Sequence, residues 1–324
     1  MAGLFRATII LLTLAPWACA HARAETYPSR PVRLMVPAAP GGVTDVVARI
    51  TADYLSARTN QSVVVDNRAG AGGNLATDAV AKSDPDGYTL GIVASGNVVI
   101  NPFLYSRMPF DPMIDLVPVA SIAEAPQVVA VNNDVPAKTL ADLIAFARTA
   151  PAPLTYASAG AGTTMHLAGD QLGRLAGIKL VHIPYRGAAP AVTDVVAGVV
   201  QVISVSAGPI MGFVRSGHLR VLAAASPHRL KPFPDVPTSA EAGLPGYEMT
   251  TWFGLMAPRG TPDAIVKKLH DLVQDMLADP ATAKRLDDAF LDRMPASQPE
   301  FAAFVVAEFP KWEKVARESG LQPE

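Results

Sequence analysis

The run Val32-Arg33-Leu34-Met35-Val36-Pro37-Ala38-Ala39-Pro40-Gly41-Gly42-Val43-Thr44-Asp45 reads as a strand, a glycine loop and the start of a helix. Val32, Leu34, Met35 and Val36 make a short apolar strand. Val43, Val46, Val47, Ile50 and Tyr54 then recur at helical spacing. The same grammar returns at Leu154–Ala157, followed by Ser158-Ala159-Gly160-Ala161-Gly162-Thr163-Thr164-Met165-His166 and a helix over 164–176. Both loops put small residues and backbone N–H groups at a helix N-terminus, past the carboxyl end of a strand. Such ends attract anions through open donors and the helix dipole. Two of them facing each other would hold both ends of a dicarboxylate. The competing reading is two ordinary strand–helix turns.

Around these loops, strands and helices alternate. Strands are expected at Ser62–Asp66 and Tyr88–Val93, with a turn at Asp84-Pro85-Asp86-Gly87 between. Thr139 and Asp142 signal a capped helix carrying Leu140, Leu143, Ile144 and Ala147. Further strands fall at Leu180–Ile183, Val200–Val205 and Leu219–Ala223, with a helix over 189–198. Two long extended stretches, near 119–131 and 247–257, are the only evident crossovers. A helix starts with Pro262 at its first position, and Ser297 with Glu300 caps a last helix. Pro310 is expected to interrupt and kink that helix. The order describes an α/β protein of two lobes, each a mostly parallel sheet flanked by helices, joined by two crossover strands. The C-terminal helices return to the first lobe. The cleft between the lobes is the natural ligand site. The lobes are placed at 25–123 with 249–324, and at 124–248.

The length of 324 residues suits two domains, and 50% hydrophobic with 17% charged residues excludes wholesale disorder. Residues 1–24 read as a cleavable export signal. Arg6 precedes the apolar run Ala7–Ala18, too short to span a bilayer, and Ala22-Arg23-Ala24 is a small-x-small cleavage site. The lone Cys19 falls inside it, behind a Trp17 that suits a lipoprotein site poorly. The mature chain then has no cysteine and 25 basic against 29 acidic residues, a net −4. That balance argues against nucleic-acid binding, and an exported, acidic, disulfide-free protein suits a bacterial periplasm. Val195–Val214 has no charge, but Gly198, Gln201, Ser204, Ser206, Gly208 and Pro209 fit helix end, buried strand and helix start better than a membrane span.

Other chemistry is not indicated. Neither 70–75 nor 160–165 completes a dinucleotide fingerprint, and neither loop carries a P-loop Gly-Lys-Ser/Thr. Tyr156-Ala157-Ser158-Ala159-Gly160 lacks the first glycine of a nucleophile elbow. His166, His182, His218, His228 and His270 show no metal spacing. No cofactor, metal or catalytic residue is expected. His270 is placed on an exposed helix face. For His166, capping or packing is weighed equally with ligand contact. A secreted hydrolase using Ser158 and His166 is the alternative function, although no orienting acid is evident. A transcription-factor effector domain is disfavoured by the export signal.

Several segments together resemble the Bug/TctC family, the substrate-binding proteins of tripartite tricarboxylate transporters. They are Tyr27-Pro28-Ser29-Arg30-Pro31, Gly41–Asp45, Val65-Asp66-Asn67-Arg68, Gly70–Asn74, Pro85–Leu90, Asn101-Pro102, Tyr156–Gly160, Pro184–Gly187, Pro234–Thr238 and Glu241–Tyr247. The resemblance implies a periplasmic binding protein fold of type II kind that closes on a small carboxylate: a dicarboxylate, a tricarboxylate or an aromatic carboxylate. The implied partners are membrane permease subunits or a sensor kinase, and the implied state is a monomer. The ligand-binding set is Ala38, Ala39, Pro40, Gly41, Gly42, Thr44, Asp45, Ser95 and Asn97 on one side. On the other it is Ser158, Ala159, Gly160, Thr163, His166, Tyr185 and Val205. Arg186 is weighed as a surface residue. Two departures stand out. Ala38 replaces a frequent Phe, and Val205 stands where many relatives have an acid, which favours a carboxylate without an amine.

Overall fold

The computed structural model describes residues 27–319. The expected export signal, its expected cleavage site and Cys19 lie outside the described residues. In chain order the first elements are β1 (Val32–Val36), α1 (Val43–Thr59), β2 (Val63–Asn67), α2 (Asn74–Ala81), β3 (Thr89–Ala94), the short α3 (Asn101–Leu104) and β4 (Leu116–Asn132). Then come α4 (Leu140–Thr149), β5 (Leu154–Ser158), α5 (Thr164–Ala176), β6 (Leu180–Pro184), α6 (Ala188–Val196), β7 (Val202–Ser206), α7 (Ala207–Arg215) and β8 (Leu219–Ala224). The chain closes with β9 (Thr250–Pro258), α8 (Asp263–Ala278), α9 (Pro280–Asp288), the two-residue β10 (Asp292–Arg293) and α10 (Gln298–Ser319).

The strand order is β2-β1-β3-β9-β4-β7-β5-β6, with β8 and β10 also pairing β4. β2, β1 and β3 run parallel, as do β6, β5 and β7. The central β9 and β4 run antiparallel to their neighbours. In the first lobe three parallel strands are followed by the antiparallel β9, with β4 and β10 beyond it; in the second, β6, β5 and β7 lie on one side of the antiparallel β4 and β8 lies on the other. β4 serves both: Leu116–Pro126 pair with β9, and Gln127–Val131 pair with β7. Proline removes a ladder donor, so it belongs at irregularities in a central strand. Accordingly Pro118 sits at a register shift, and Pro126 stands where β4 passes from one sheet to the other.

The cores follow the same division. Leu34, Val36, Val47, Ile92, Leu255 and Val273 pack in the first lobe, and Val128, Ala130, Val192, Ile203 and Ile210 in the second. A third cluster runs between them, from Met35 and Val99 to Leu140, Leu167 and Leu172. Phe301 and Trp312 of α10 belong to it. α10 therefore does not simply return to the first lobe: Arg174 of α5 pairs with its Glu318 at 3.2 Å.

Three local expectations need correction. Pro262 is the N-cap of α8, and Asp263 is its first helical residue. α10 continues through Pro310. The carbonyl that loses its helical donor there belongs to Val306, which is 55% exposed, so the lost bond falls on the solvent side. His270 is half-buried, with Nδ1 3.0 Å from the Val119 carbonyl. Both capping boxes form as expected, Thr139 with Asp142 and Ser297 with Glu300. Val195–Val214 divides into the end of α6, β7 and the start of α7, and no helix among the described residues is long and apolar enough to cross a membrane.

Candidate ligand-binding site

Parallel strands within a lobe point their carboxyl ends the same way, and ligands in α/β sheets sit at those ends. Here the ends of β1, β2 and β3 meet those of β5, β6 and β7 around a cavity of about 590 Å³. Five helices begin at its wall. Their N-caps are Gly42 for α1, Gly73 for α2, Thr163 for α5, Gly187 for α6 and Ser206 for α7. Only Thr163 caps with its side chain, accepting from His166 N. The other four caps leave their first-turn N–H groups without a side-chain acceptor. Among the described residues Arg186 is the only charged one lining the cavity, and it is exposed.

The sequence-predicted residues divide into two groups. Ala38, Ala39, Gly42, Thr44, Asn97, Ala159, Gly160, Thr163, Tyr185 and Val205 line the cavity. Pro40, Gly41, Asp45, Ser95, Ser158 and His166 do not. Pro40 and Gly41 are exposed on the outside of the first loop. The remaining four are buried behind the walls.

Asp45 braces the first loop. Its carboxylate accepts from Gly41 N (3.0 Å), Arg49 Nε (2.9 Å) and Asn67 Nδ2 (3.0 Å). Asn67 Nδ2 also reaches the Ala38 carbonyl at 3.0 Å. Burial opposes the charge on Asp45, but the bonds from Arg49, Gly41 and Asn67 outweigh it and hold the carboxyl below the usual range.

Neutral groups brace the second loop. Ser158 Oγ lies 2.6 Å from His182 Nε2 and accepts from Gly160 N at 3.1 Å. Gly162 N donates to His166 Nδ1 at 3.3 Å, which requires that nitrogen to be unprotonated. His166 and His182 stack at 4.0 Å between ring centroids. Desolvation pushes His166 down to about 3, assisted by His182, and pushes His182 down to about 4. Ser158 pairs with His182, which sequence reasoning left unassigned, and not with the expected His166. Its hydroxyl belongs to a residue with 0% exposure and stands outside the cavity wall, so this pair has no access to a hydrolase substrate.

The lobes touch at both ends of the cavity. Ser95 Oγ is 3.2 Å from Thr164 Oγ1, and Tyr105 Oη donates to the Ala161 carbonyl at 3.3 Å. At the mouth, a Cβ on Gly187 would lie 3.5 Å from Ala39 Cβ. Sequence reasoning missed the wall segment Ala69–Gly73, the Pro184–Ala189 turn apart from Tyr185, and Gln127, Ser206, Thr251 and Phe253; Arg186, weighed as a surface residue, lines the cavity. The glycine-rich Gly70–Gly73 and the Pro184–Gly187 segment were the visible signals among them.

Residues 47–321 match the tripartite tricarboxylate transporter family receptor, TctC. The chain belongs to this family. A relative, the UPF0065 protein in the tcbD-tcbE intergenic region of Pseudomonas sp. strain P51, is 38% identical over 300 residues, covering 92% of this chain and 89% of that one. Among solved structures, Rpa4515 of R. palustris with adipate superposes with a TM-score of 0.89 at 37% identity, over 92% of this chain and 100% of its own. MatC (Rpa3494) from Rhodopseudomonas palustris with bound malate gives 0.85 at 32% identity, over 90% and 100%. The family is one of receptors and both neighbours hold a small carboxylate, in keeping with a cavity walled by open backbone donors.

Proposed function

We propose that the protein is a periplasmic receptor that captures a small carboxylate between its lobes and delivers it to a membrane transporter. The observation that carries this reading is the cavity wall itself. Four helix N-termini without side-chain caps converge on one space that contains no acidic side chain. Backbone donors and helix dipoles favour an anion there without a fixed charge to desolvate. The volume of about 590 Å³ falls within the range of small-molecule pockets. The bound adipate and malate of the two neighbours support the same chemistry.

The lobe boundaries at residues 123/124 and 248/249 are part of this proposal, as are export by residues 1–24, a monomeric state and permease subunits or a sensor kinase as the downstream partner. All the expected loop residues that line the cavity are proposed as ligand contacts. Asp45, Ser95, Ser158 and His166 are assigned to shaping its walls.

The test is thermal unfolding of residues 25–324 against mono-, di-, tri- and aromatic carboxylates. A ligand that binds only the folded form raises the melting temperature in a concentration-dependent way, by about 2.7 kcal/mol of stability at a hundredfold excess over Kd. A panel without any shift would overturn the carboxylate reading.

A further inference from the structure

Among the described residues the cavity wall offers many hydrogen-bond donors and no anionic side chain, and from this we infer that its ligand is a carboxylate bearing no ammonium group. The inference rests on the carboxylate reading above and narrows it.

The donors are uncommitted. The hydroxyls of Thr44 and Ser206 form no hydrogen bond among the described residues, and Arg186 has no ionic partner. Thr251 Oγ1 accepts from Gln127 Nε2 at 3.4 Å and keeps its own proton free. To these the starts of α1, α6 and α7 add backbone N–H groups.

Many of the acceptors are already engaged. The Ala38 carbonyl takes Asn67 Nδ2, and the Gly70 carbonyl takes Gly73 N. The Gly72 carbonyl takes Asn101 Nδ2. Across the cavity, the Ala159 carbonyl takes Gly187 N, the Gly160 carbonyl takes Thr163 Oγ1 and the Ala161 carbonyl takes Tyr105 Oη. The Gln127 amide oxygen takes Ser204 Oγ at 3.0 Å. Tyr185 Oη is turned away to Asp194 at 2.7 Å. No carboxylate replaces them, because no Asp or Glu lines the wall.

An ammonium group needs acceptors and a counter-charge, and no carboxylate of the wall supplies that charge. Carboxylate and keto oxygens accept from the free hydroxyls, the backbone N–H groups and Arg186. Val43, Met165, Val205 and Phe253 give the body of such a ligand an apolar lining.

The test is calorimetric titration of the protein with matched four-, five- and six-carbon dicarboxylates. Each length is offered unsubstituted and with a 2-amino group, the four- and five-carbon members also with a 2-hydroxy group, and the five-carbon member also with a 2-oxo group. The unsubstituted, hydroxy or oxo acid of the preferred length is expected to bind about 100-fold or more tighter than its amine. Val205→Asp and the uncharged Val205→Asn place an acceptor in the wall. Whichever variant keeps the wild-type circular dichroism spectrum is expected to narrow the gap to the amine by about 10-fold. An amine that binds the wild type as tightly as the unsubstituted acid would overturn the inference while leaving the receptor reading intact. So would a folded variant with an unchanged preference. If no carboxylate binds, the receptor reading fails first and this inference falls with it.

Discussion

The loops after β1 and β5 occupy equivalent places in the two lobes and face one cavity, yet they are held by opposite kinds of chemistry. Behind the first stands an ion: Asp45, neutralised by Arg49 and bonded to Gly41 and Asn67. Behind the second stand two stacked neutral imidazoles and a serine. A loop geometry that presents N–H groups inward does not dictate how it is braced from outside. What the bracing does dictate is which loop fails first when conditions change.

The largest expected difference between the loops comes from their glycines. Gly162 has φ +75°, and a Cβ there would land 2.0 Å from Asn101 Oδ1 of the other lobe. Asn101 is itself held by Gly72 and Asn74. Gly162→Ala is expected to cost about 3 kcal/mol, from left-handed strain plus overpacking. Gly41 has φ +85° but nothing within 4 Å of such a Cβ. Gly41→Ala is expected to cost only the strain, about 1 kcal/mol. Urea unfolding midpoints of the pair measure the gap, and equal losses would place the lobe contact elsewhere.

Next in size is removal of the ionic brace. Asp45→Ala strands Gly41 N–H, Asn67 and Arg49, with an expected loss of about 2 kcal/mol. Asp45→Asn, which keeps an acceptor, is expected to recover part of it in the same unfolding measurement.

The pH response separates the loops without mutation. His166 and His182 titrate near 6.5 when unfolded but at about 3 and about 4 when folded. The unfolded chain therefore binds more protons below pH 6.5, so their contribution is complete above that pH and is lost as pH falls toward 4. Asp170 of α5 acts in the opposite sense. Its burial, which outweighs Arg174, pushes its carboxyl up to about 6, so its contribution is present below about pH 4 and is lost as pH rises through 6. Between pH 6 and 4 the balance is roughly one net proton taken up on unfolding. Asp170→Asn is expected to bring that uptake to about two and steepen the acid loss, read from unfolding midpoints at each pH. The Asp45 brace persists to lower pH, because its folded carboxyl titrates below the usual carboxylate range.

The smallest effect is the helix cap. Thr163→Ala is expected to cost about 1 kcal/mol, and Thr163→Ser little, since the hydroxyl that accepts His166 N is kept.

Much of this architecture is written locally. Alternating apolar strands and helical stripes give the β/α order, Thr139 with Asp142 gives a helix start, and the two glycine loops mark strand–helix junctions. The cavity is written less completely. Gly73, Gly187 and Ser206 begin helices at its wall, but a lone small residue before a helix carries no address in the sequence. Sheet order supplies that address, by laying β2 beside β1 and β7 beside β5 so that their ends converge. The same gap explains Asp45, Ser95, Ser158 and His166. Each lies on a loop or helix start that reaches the cavity, but its side chain points into the wall, a choice settled by partners far away in sequence such as Asn67, Thr164 and His182.

The insertion of β9 between β3 and β4 fixes the order in which the molecule can be completed. When residues 27–249 have been made, β3 and the first half of β4 both face an open slot, each with an unpaired edge. The slot fills only when Thr250–Pro258 arrives and pairs on both sides, its Leu255 meeting an Ile92 that lies 163 residues earlier in the chain. The second lobe already has its partners β4 to β8 by then. The lobe that begins first in the chain is thus the last whose sheet can be completed, and its closing pairing is long-range, the kind of contact that slows folding.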